Sequence, residues 1–242
     1  MAANIDKEKK QLNFHYAFTL PQNQVKEFQV ELDPDLNLIK SHHESYPDWT
    51  KLTHHQCDNC PLKPEEHPYC PAAVGLVDVI AAFQTSTSFE EVDVQVESKG
   101  RTYVKHTSLQ KGLSSLIGIY LATSGCPILE KLKPMVQFHL PFATPDETMY
   151  RAISMYLVAQ YFVHKQGKVP DWELAHLTEL YQEIHQVNRG LAKRLRELQQ
   201  GDANVNALVI LDCFAEVTQF SLSKNKLDEI KRIFQVYLAC PE

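Results

Sequence analysis

Glu91-Val92-Asp93-Val94-Gln95-Val96-Glu97 alternates strictly, with its valines on one face and polar residues on the other. Such a period of two marks a half-buried strand. Ser98-Lys99-Gly100 turns the chain and Arg101–Thr107 returns, so the stretch predicts an antiparallel hairpin. The period then changes. Over 108–123, Leu109, Leu113, Leu116, Ile117, Tyr120 and Leu121 make one apolar helical stripe. Gly112, Ser115, Gly118 and Ala122 make a strip of small residues suited to close helix packing. Gly125 suits the left-handed position that ends a helix.

Toward the N-terminus, residues 13–20 and 24–32 are aromatic and β-branched around Pro21-Gln22-Asn23, which predicts another hairpin. A short strand at Leu36–Ile39 and a short apolar helix over 74–84 are expected as well. Toward the C-terminus, Thr144-Pro145-Asp146-Glu147 carries an N-cap, a first-turn proline and a capping-box glutamate. That helix should run to about His164, with Tyr150, Tyr156, Tyr161 and Phe162 read as core. Another helix is expected from Asp171 to about Gln199, then two more over 203–219 and 226–238. Strands precede helices, so the expected class is α+β. Residues 1–107 should form an antiparallel sheet with a cysteine-rich loop at 41–73, and residues 108–242 a helical bundle, together one compact unit.

With 242 residues the chain can bury a full core without staples. A net charge of −6 gives no reason to expect nucleic-acid binding. Met1 to Lys10 is charged and lacks the apolar region of a signal peptide, and no stretch approaches the roughly 20 apolar residues of a membrane span. The expectation is a cytoplasmic protein without membrane contact, in which clustered cysteines are metal ligands or redox groups. Phosphate loops, G-x-G-x-x-G, G-x-S-x-G and H-E-x-x-H are absent, and only 8 glycines occur, so nucleotide-binding and serine-hydrolase chemistry are poor expectations.

The chemistry-bearing stretch is His54-His55-Gln56-Cys57-Asp58-Asn59-Cys60-Pro61-Leu62, followed by Cys70-Pro71-Ala72-Ala73. A structural zinc site takes four soft or borderline ligands in a tetrahedron, and a C-x-x-C spacing sets two sulfurs on one side of a tight turn. Cys57 and Cys60 fit that geometry, with Cys70 as a third ligand. The fourth is open between Cys126, in Ser124-Gly125-Cys126-Pro127, and the local His55, with His54 and His67 behind it. A bound metal would order a loop otherwise too long for a compact domain. Four of the six cysteines precede proline, as in bacterial ferredoxin-type clusters, although the nine residues between Cys60 and Cys70 match no ferredoxin pattern. Pro61 also removes an N–H that a zinc knuckle would aim at sulfur. Zinc is therefore the leading expectation, with iron or an iron–sulfur cluster the alternative. Against any metal stands the reading of reduced thiols packed as small hydrophobes, which is the expectation for Cys213 in the apolar Leu211–Val217 run.

His139, Glu147 and Arg151 could form an acid–base pair with an anion holder, or an open metal site. The plainer reading is a core histidine, a capping-box glutamate and an arginine paired with it on the helix face. Asp212 shares a helical face with Glu216 and is either a buried acid or solvent-facing. Arg189, Lys193, Arg194 and Arg196 are cations favoured near a helix C-terminus.

Trp49-Thr50-x-Leu52, His55-Gln56-Cys57-x-x-Cys60-Pro61-Leu62, Cys70-Pro71-Ala72-Ala73, Ala122-Thr123-Ser124-Gly125-Cys126-Pro127 and Phe138-His139-Leu140-Pro141-Phe142-Ala143 together resemble an uncharacterised bacterial protein family of unknown function. The resemblance covers nearly the whole chain, from the first hairpin to the Val205-Asn206-Ala207-Leu208 helix. It implies a bacterial cytosolic protein and supplies no activity, substrate or catalytic residue. Cys57, Cys60, Cys70 and Cys126 all lie inside its motifs, which favours a four-cysteine site. The functional expectation is a metal-binding protein with a structural zinc site. The alternatives are a metal-dependent enzyme or redox protein with an open metal position, and an interaction module using the bundle. The 171–199 helix is a candidate homo-oligomer contact.

Overall fold

A computed structural model describes residues 11–41, 43–198, 200–223 and 227–239. Strands β1 (Leu12–Thr19), β2 (Val25–Leu32), β3 (Glu91–Ser98) and β4 (Arg101–Ser108) form one sheet in the order β2-β1-β3-β4. Every pairing is antiparallel, with Phe14 opposite Val30 and Phe18 opposite Val94. Alternation explains the register: Phe14, Tyr16, Phe18, Phe28, Val30, Leu32, Val92, Val94 and Val96 are all buried. Slipping one strand by a residue would turn its apolar set toward solvent.

Helix α1 (Pro71–Gly75) and helix α2 (Val77–Ala82) follow the cysteine-rich loop. After β4 come α3 (Leu109–Thr123), a 3-10 turn (Leu129–Leu132), α4 (Lys133–Gln137), α5 (Pro145–Lys165), α6 (Ala175–Arg196), α7 (Ala203–Ser223), α8 (Asp228–Ile233) and α9 (Gln235–Leu238). The architecture is α+β, with strands and helices sharing one buried apolar cluster.

Helix α3 is the element between sheet and bundle. A Cβ on Gly112 would stand 2.9 Å from both Phe18 Cε1 and Val94 Cγ2, so glycine lets the helix lie on the sheet. Further along, Leu211 of α7 packs at Gly118, 3.6 Å from where a Cβ would be. The small strip therefore serves two neighbours, and only its later part packs against a helix.

Several local expectations change. Leu36–Ile39 contributes only an isolated bridge, Leu38 to Leu32. The 74–84 helix divides into α1 and α2. The turn at 129–132 and α4 were hidden because their span is short and interrupted by Pro134. Helix α6 begins four residues later than Asp171. The Asp171 carboxylate accepts from the amides of Ala175 (3.2 Å) and His176 (2.9 Å), and Leu174 takes a left-handed φ of 61°. Burial works to raise the Asp171 carboxyl, but the Tyr156 hydroxyl and these amides outweigh it and hold it low.

Tyr150, Tyr161 and Phe162 are exposed rather than core, because α5 buries only Ala152 and Ile153 at the edge of the bundle. Tyr156 is half-buried and donates to Asp171 at 2.7 Å. Helix α7 is long and apolar enough, by length and composition, to cross a membrane, which differs from the expectation that no stretch would be. Packing on α3 and α6 accounts for part of that apolarity. Val209, Val217 and Phe220 remain exposed. Cys213, expected buried, is exposed as well: α7 is apolar on several sides, and this one faces away from the core. Cys240, residues 1–10 and the start of the 226–238 helix lie outside the described residues.

Replacing Gly112 with alanine should force Phe18 and Val94 aside and lower stability by about 1–3 kcal/mol, the range of core overpacking. Gly118→Ala meets only an ordinary contact and should cost less. Urea midpoints of both variants check the order, and equal losses would contradict the close approach at Gly112.

Candidate functional site

The cysteine-rich loop lies along one face of α6. Asn59 Nδ2 donates to the Glu183 carbonyl at 3.0 Å, and Cys57 Sγ points to the Val187 carbonyl at 3.9 Å. A Cβ on Gly190 would come within 2.7 Å of Cys57 Sγ. Arg194 donates to the carbonyls of Trp49 (2.8 Å), Lys51 (2.7 Å) and Leu52 (3.1 Å). Glu197 meets His54 at 3.0 Å and His55 at 2.6 Å. Positions 183, 187, 190, 194 and 197 recur at spacings of four and three, which is one stripe of a helix.

The loop also braces itself. Cys70 N–H donates to the Thr50 carbonyl at 2.7 Å and Leu52 N–H to the Pro68 carbonyl at 2.9 Å. Cys60 N–H closes a tight turn on the Cys57 carbonyl at 3.0 Å, and Gln56 reaches the Leu62 carbonyl at 2.9 Å. The C-x-x-C pair thus sits on a hydrogen-bonded turn, as its spacing demands.

Cys57 and Cys60 are half-buried, whereas Cys70 and Cys126 are buried. All four are free thiols within electrostatic reach of one another. Burial, reinforced by Cys70, Cys60 and Cys126, pushes the Cys57 thiol up to about 12, while the Arg194 guanidinium opposes the shift. Burial also raises Cys126, with Cys70 and Cys60 adding to it. Against this, the backbone amides of Leu129 and Ile128 hydrogen-bond the Cys126 sulfur. Cys126 is delivered from the end of α3, where Gly125 turns with φ of 89° and Ser124 Oγ accepts from the Cys126 amide at 3.2 Å. His55 turns instead toward Glu197, and His54 toward the same carboxylate.

Ligand atoms drawn together within 4.8 Å of one another occur, among the described residues, in His54–His55–Glu197 and in His185–Asp212–Glu216. No three of the four thiols meet that distance. In the first set the imidazole of His55 holds the Glu197 carboxyl below its usual range, against a smaller effect of burial, with His54 adding to it. In the second, His185 Nδ1 pairs with Asp212 at 2.8 Å and Nε2 lies 3.6 Å from Glu216. Asp212 is therefore a half-buried partner of His185 on α6.

Arg194 is the residue that sequence reading missed. It was one member of a basic cluster at a helix end, but it is fully buried. Its hydrogen-bond acceptors are carbonyls, and its Nε has no partner among the described residues. A buried guanidinium held by neutral groups favours negative charge nearby, and the Cys57 thiol lies within its electrostatic reach.

The other candidates have separate partners. Glu147 closes the capping box, accepting from Thr144 N–H at 2.8 Å, and that hydrogen bond holds its carboxyl low. Arg151 donates to the carbonyls of Met135 (2.7 Å) and Phe138 (3.0 Å), fixing the turn between α4 and α5 rather than pairing with Glu147 on the helix face. His139 Nε2 lies 2.6 Å from the Tyr16 hydroxyl, which lies 3.0 Å from Ser115 Oγ. With Nε2 unprotonated, Tyr16 donates to it and accepts from Ser115. Burial, aided by Arg151, pushes His139 down to about 3.

The chain belongs to the family described as "Domain of unknown function (DUF6901)", whose model matches residues 14–235. No curated protein and no solved structure matches it significantly.

Two outcomes follow from these contacts. Arg194→Met should leave the carbonyls of Trp49, Lys51 and Leu52 without their donor and lower stability on the order of 3 kcal/mol. Amide exchange should rise first in 49–60, and unchanged protection there would contradict the clamp. For His139, the unfolded imidazole titrates near 6.5, above its folded value. Its contribution is thus complete above that pH and is lost as pH falls toward 3, at up to about 1.4 kcal/mol per pH unit. His139→Gln should flatten this part of a stability–pH curve, and an unchanged curve would contradict the buried neutral imidazole.

Proposed function

We propose that this protein binds one metal centre through Cys57, Cys60, Cys70 and Cys126, and that the centre pins the 41–73 loop to α3 and α6. Zinc in a tetrahedral thiolate site is the leading assignment. The observation that carries the reading is that Cys60, Cys70 and Cys126 all lie within electrostatic reach of Cys57, which itself neighbours the buried Arg194. Four thiolates around a divalent ion leave net negative charge, which a guanidinium offsets. The two amides at the Cys126 sulfur are donors of the kind that favour thiolate. Pro61 and Pro127 lack an N–H for this task, and Ile128 and Leu129 supply it for Cys126.

An iron–sulfur cluster is the second reading, favoured by the spacing of the sulfurs: no three of the four lie all within 4.8 Å of one another. A cluster has a larger core and holds its cysteines farther apart. An open catalytic metal at His139 and Glu147 has less support, because each group is engaged elsewhere. A homo-oligomer contact through α6 would have to use its exposed side chains, which apart from Ala175 are polar: His176, Glu179, Gln182, Gln186, Arg189, Lys193 and Arg196. A cytoplasmic location remains part of the proposal, resting on the reduced state of thiols that a metal requires.

Cys60→Ser should lose both the metal and several degrees of thermal stability, while His55→Ala should keep the metal. Full metal retention in Cys60→Ser would overturn the reading, and loss in His55→Ala would move the fourth ligand. Metal-to-protein ratios of the two purified variants make the comparison.

A further inference from the structure

A cavity of about 620 Å³ opens among α3, α4, α5, α6 and α7, bounded on one side by the end of β4. That size falls in the range of about 300–1,000 Å³ usual for small-molecule sites. Its interior is apolar, with Ile119, Leu132, Val136, Val209 and Phe214 among the walls. No aspartate or glutamate stands among its described lining residues, whereas Lys105, Lys111 and Arg151 do. In a chain with 30 acidic against 24 basic residues, that segregation of charge is directional.

The cations lie where a polar end would emerge. Lys105 and Lys111 are exposed at the rim. The Lys105 ammonium is 5.8 Å from the Phe142 ring, which also lines the cavity. Arg151 is held in place by the Met135 and Phe138 carbonyls, both bonded through one terminal nitrogen. Glu147, outside the lining, caps its own helix through its carboxylate and lies within electrostatic reach of Lys105 and Arg151. An apolar interior under a cationic rim complements a molecule with a hydrocarbon body and an anionic end.

We propose that this cavity binds a single-chain amphiphile with a carboxylate head, a long-chain fatty acid in chemical class. The chain would lie along the cavity walls of α3 and α7, against Ile119, Leu211 and Phe214. The carboxylate would face Lys105 and Lys111. This site is separate from the thiol cluster, and neither proposal depends on the other.

The test is displacement of a fluorescent long-chain carboxylate from the full-length protein as purified. Palmitate should compete at one molecule per chain. Octanoate and cetyl alcohol should each compete at least about tenfold less well, the first lacking chain and the second lacking charge. The Lys105→Gln, Lys111→Gln double variant should bring palmitate close to the alcohol. Val209→Trp, at a partly exposed position of the wall, should abolish displacement while the melting temperature stays near that of the parent. If the alcohol competes as well as palmitate, or if Val209→Trp folds and still binds, the proposal is overturned. Capture of diacyl phospholipid from vesicles with no response to free palmitate would overturn it too.

Discussion

The Arg194 guanidinium is the point on which the two halves of the chain depend. It is buried in the last turn of α6 and reaches the carbonyls of Trp49, Lys51 and Leu52. A lysine could not do this, because one ammonium cannot bridge acceptors spread over a fork. Around this clamp the rest of the loop finds its register along α6, from Asn59 at one end to the two histidines at the other. Removing a cation from water is costly, so the clamp implies compensation beyond neutral carbonyls. Cys57 lies beside it, and as a thiolate of the proposed metal centre it would give that compensation.

The same helices serve two purposes on opposite faces. Helix α6 takes the loop on its 183–197 stripe and presents Tyr181, Ile184 and Asn188 to the cavity. Helix α3 lies on the sheet at Gly112, borders the cavity along its middle, and ends in the turn that delivers Cys126. Anything that pins the loop to α6 and Cys126 therefore also fixes two cavity walls.

The sheet was legible because β3 alternates without exception and the first hairpin nearly so, and a period of two has one meaning when a core covers one face. The start of α5 was legible because Thr144 and Glu147 form a capping box whose chemistry is local. Arg194 was not legible: its partners lie more than 140 residues away, and nothing local separates it from the exposed Arg189 and Arg196. Cys213 misled because α7 is apolar around much of its circumference, so composition does not say which side is inside. The cysteine spacing marked a chemical neighbourhood but left Cys126 and His55 open. What turns them apart is Glu197, a residue no spacing rule connects to His55.

The most direct measurement is X-ray absorption at the metal edge of protein purified anaerobically, with the metal-to-chain ratio taken on the same sample. The account predicts one zinc per chain with four sulfur neighbours at about 2.3 Å. Iron with short iron–iron scattering would keep the site and change its chemistry to that of a cluster. Metal-free protein with four reactive thiols and unaltered stability would contradict the account at its centre.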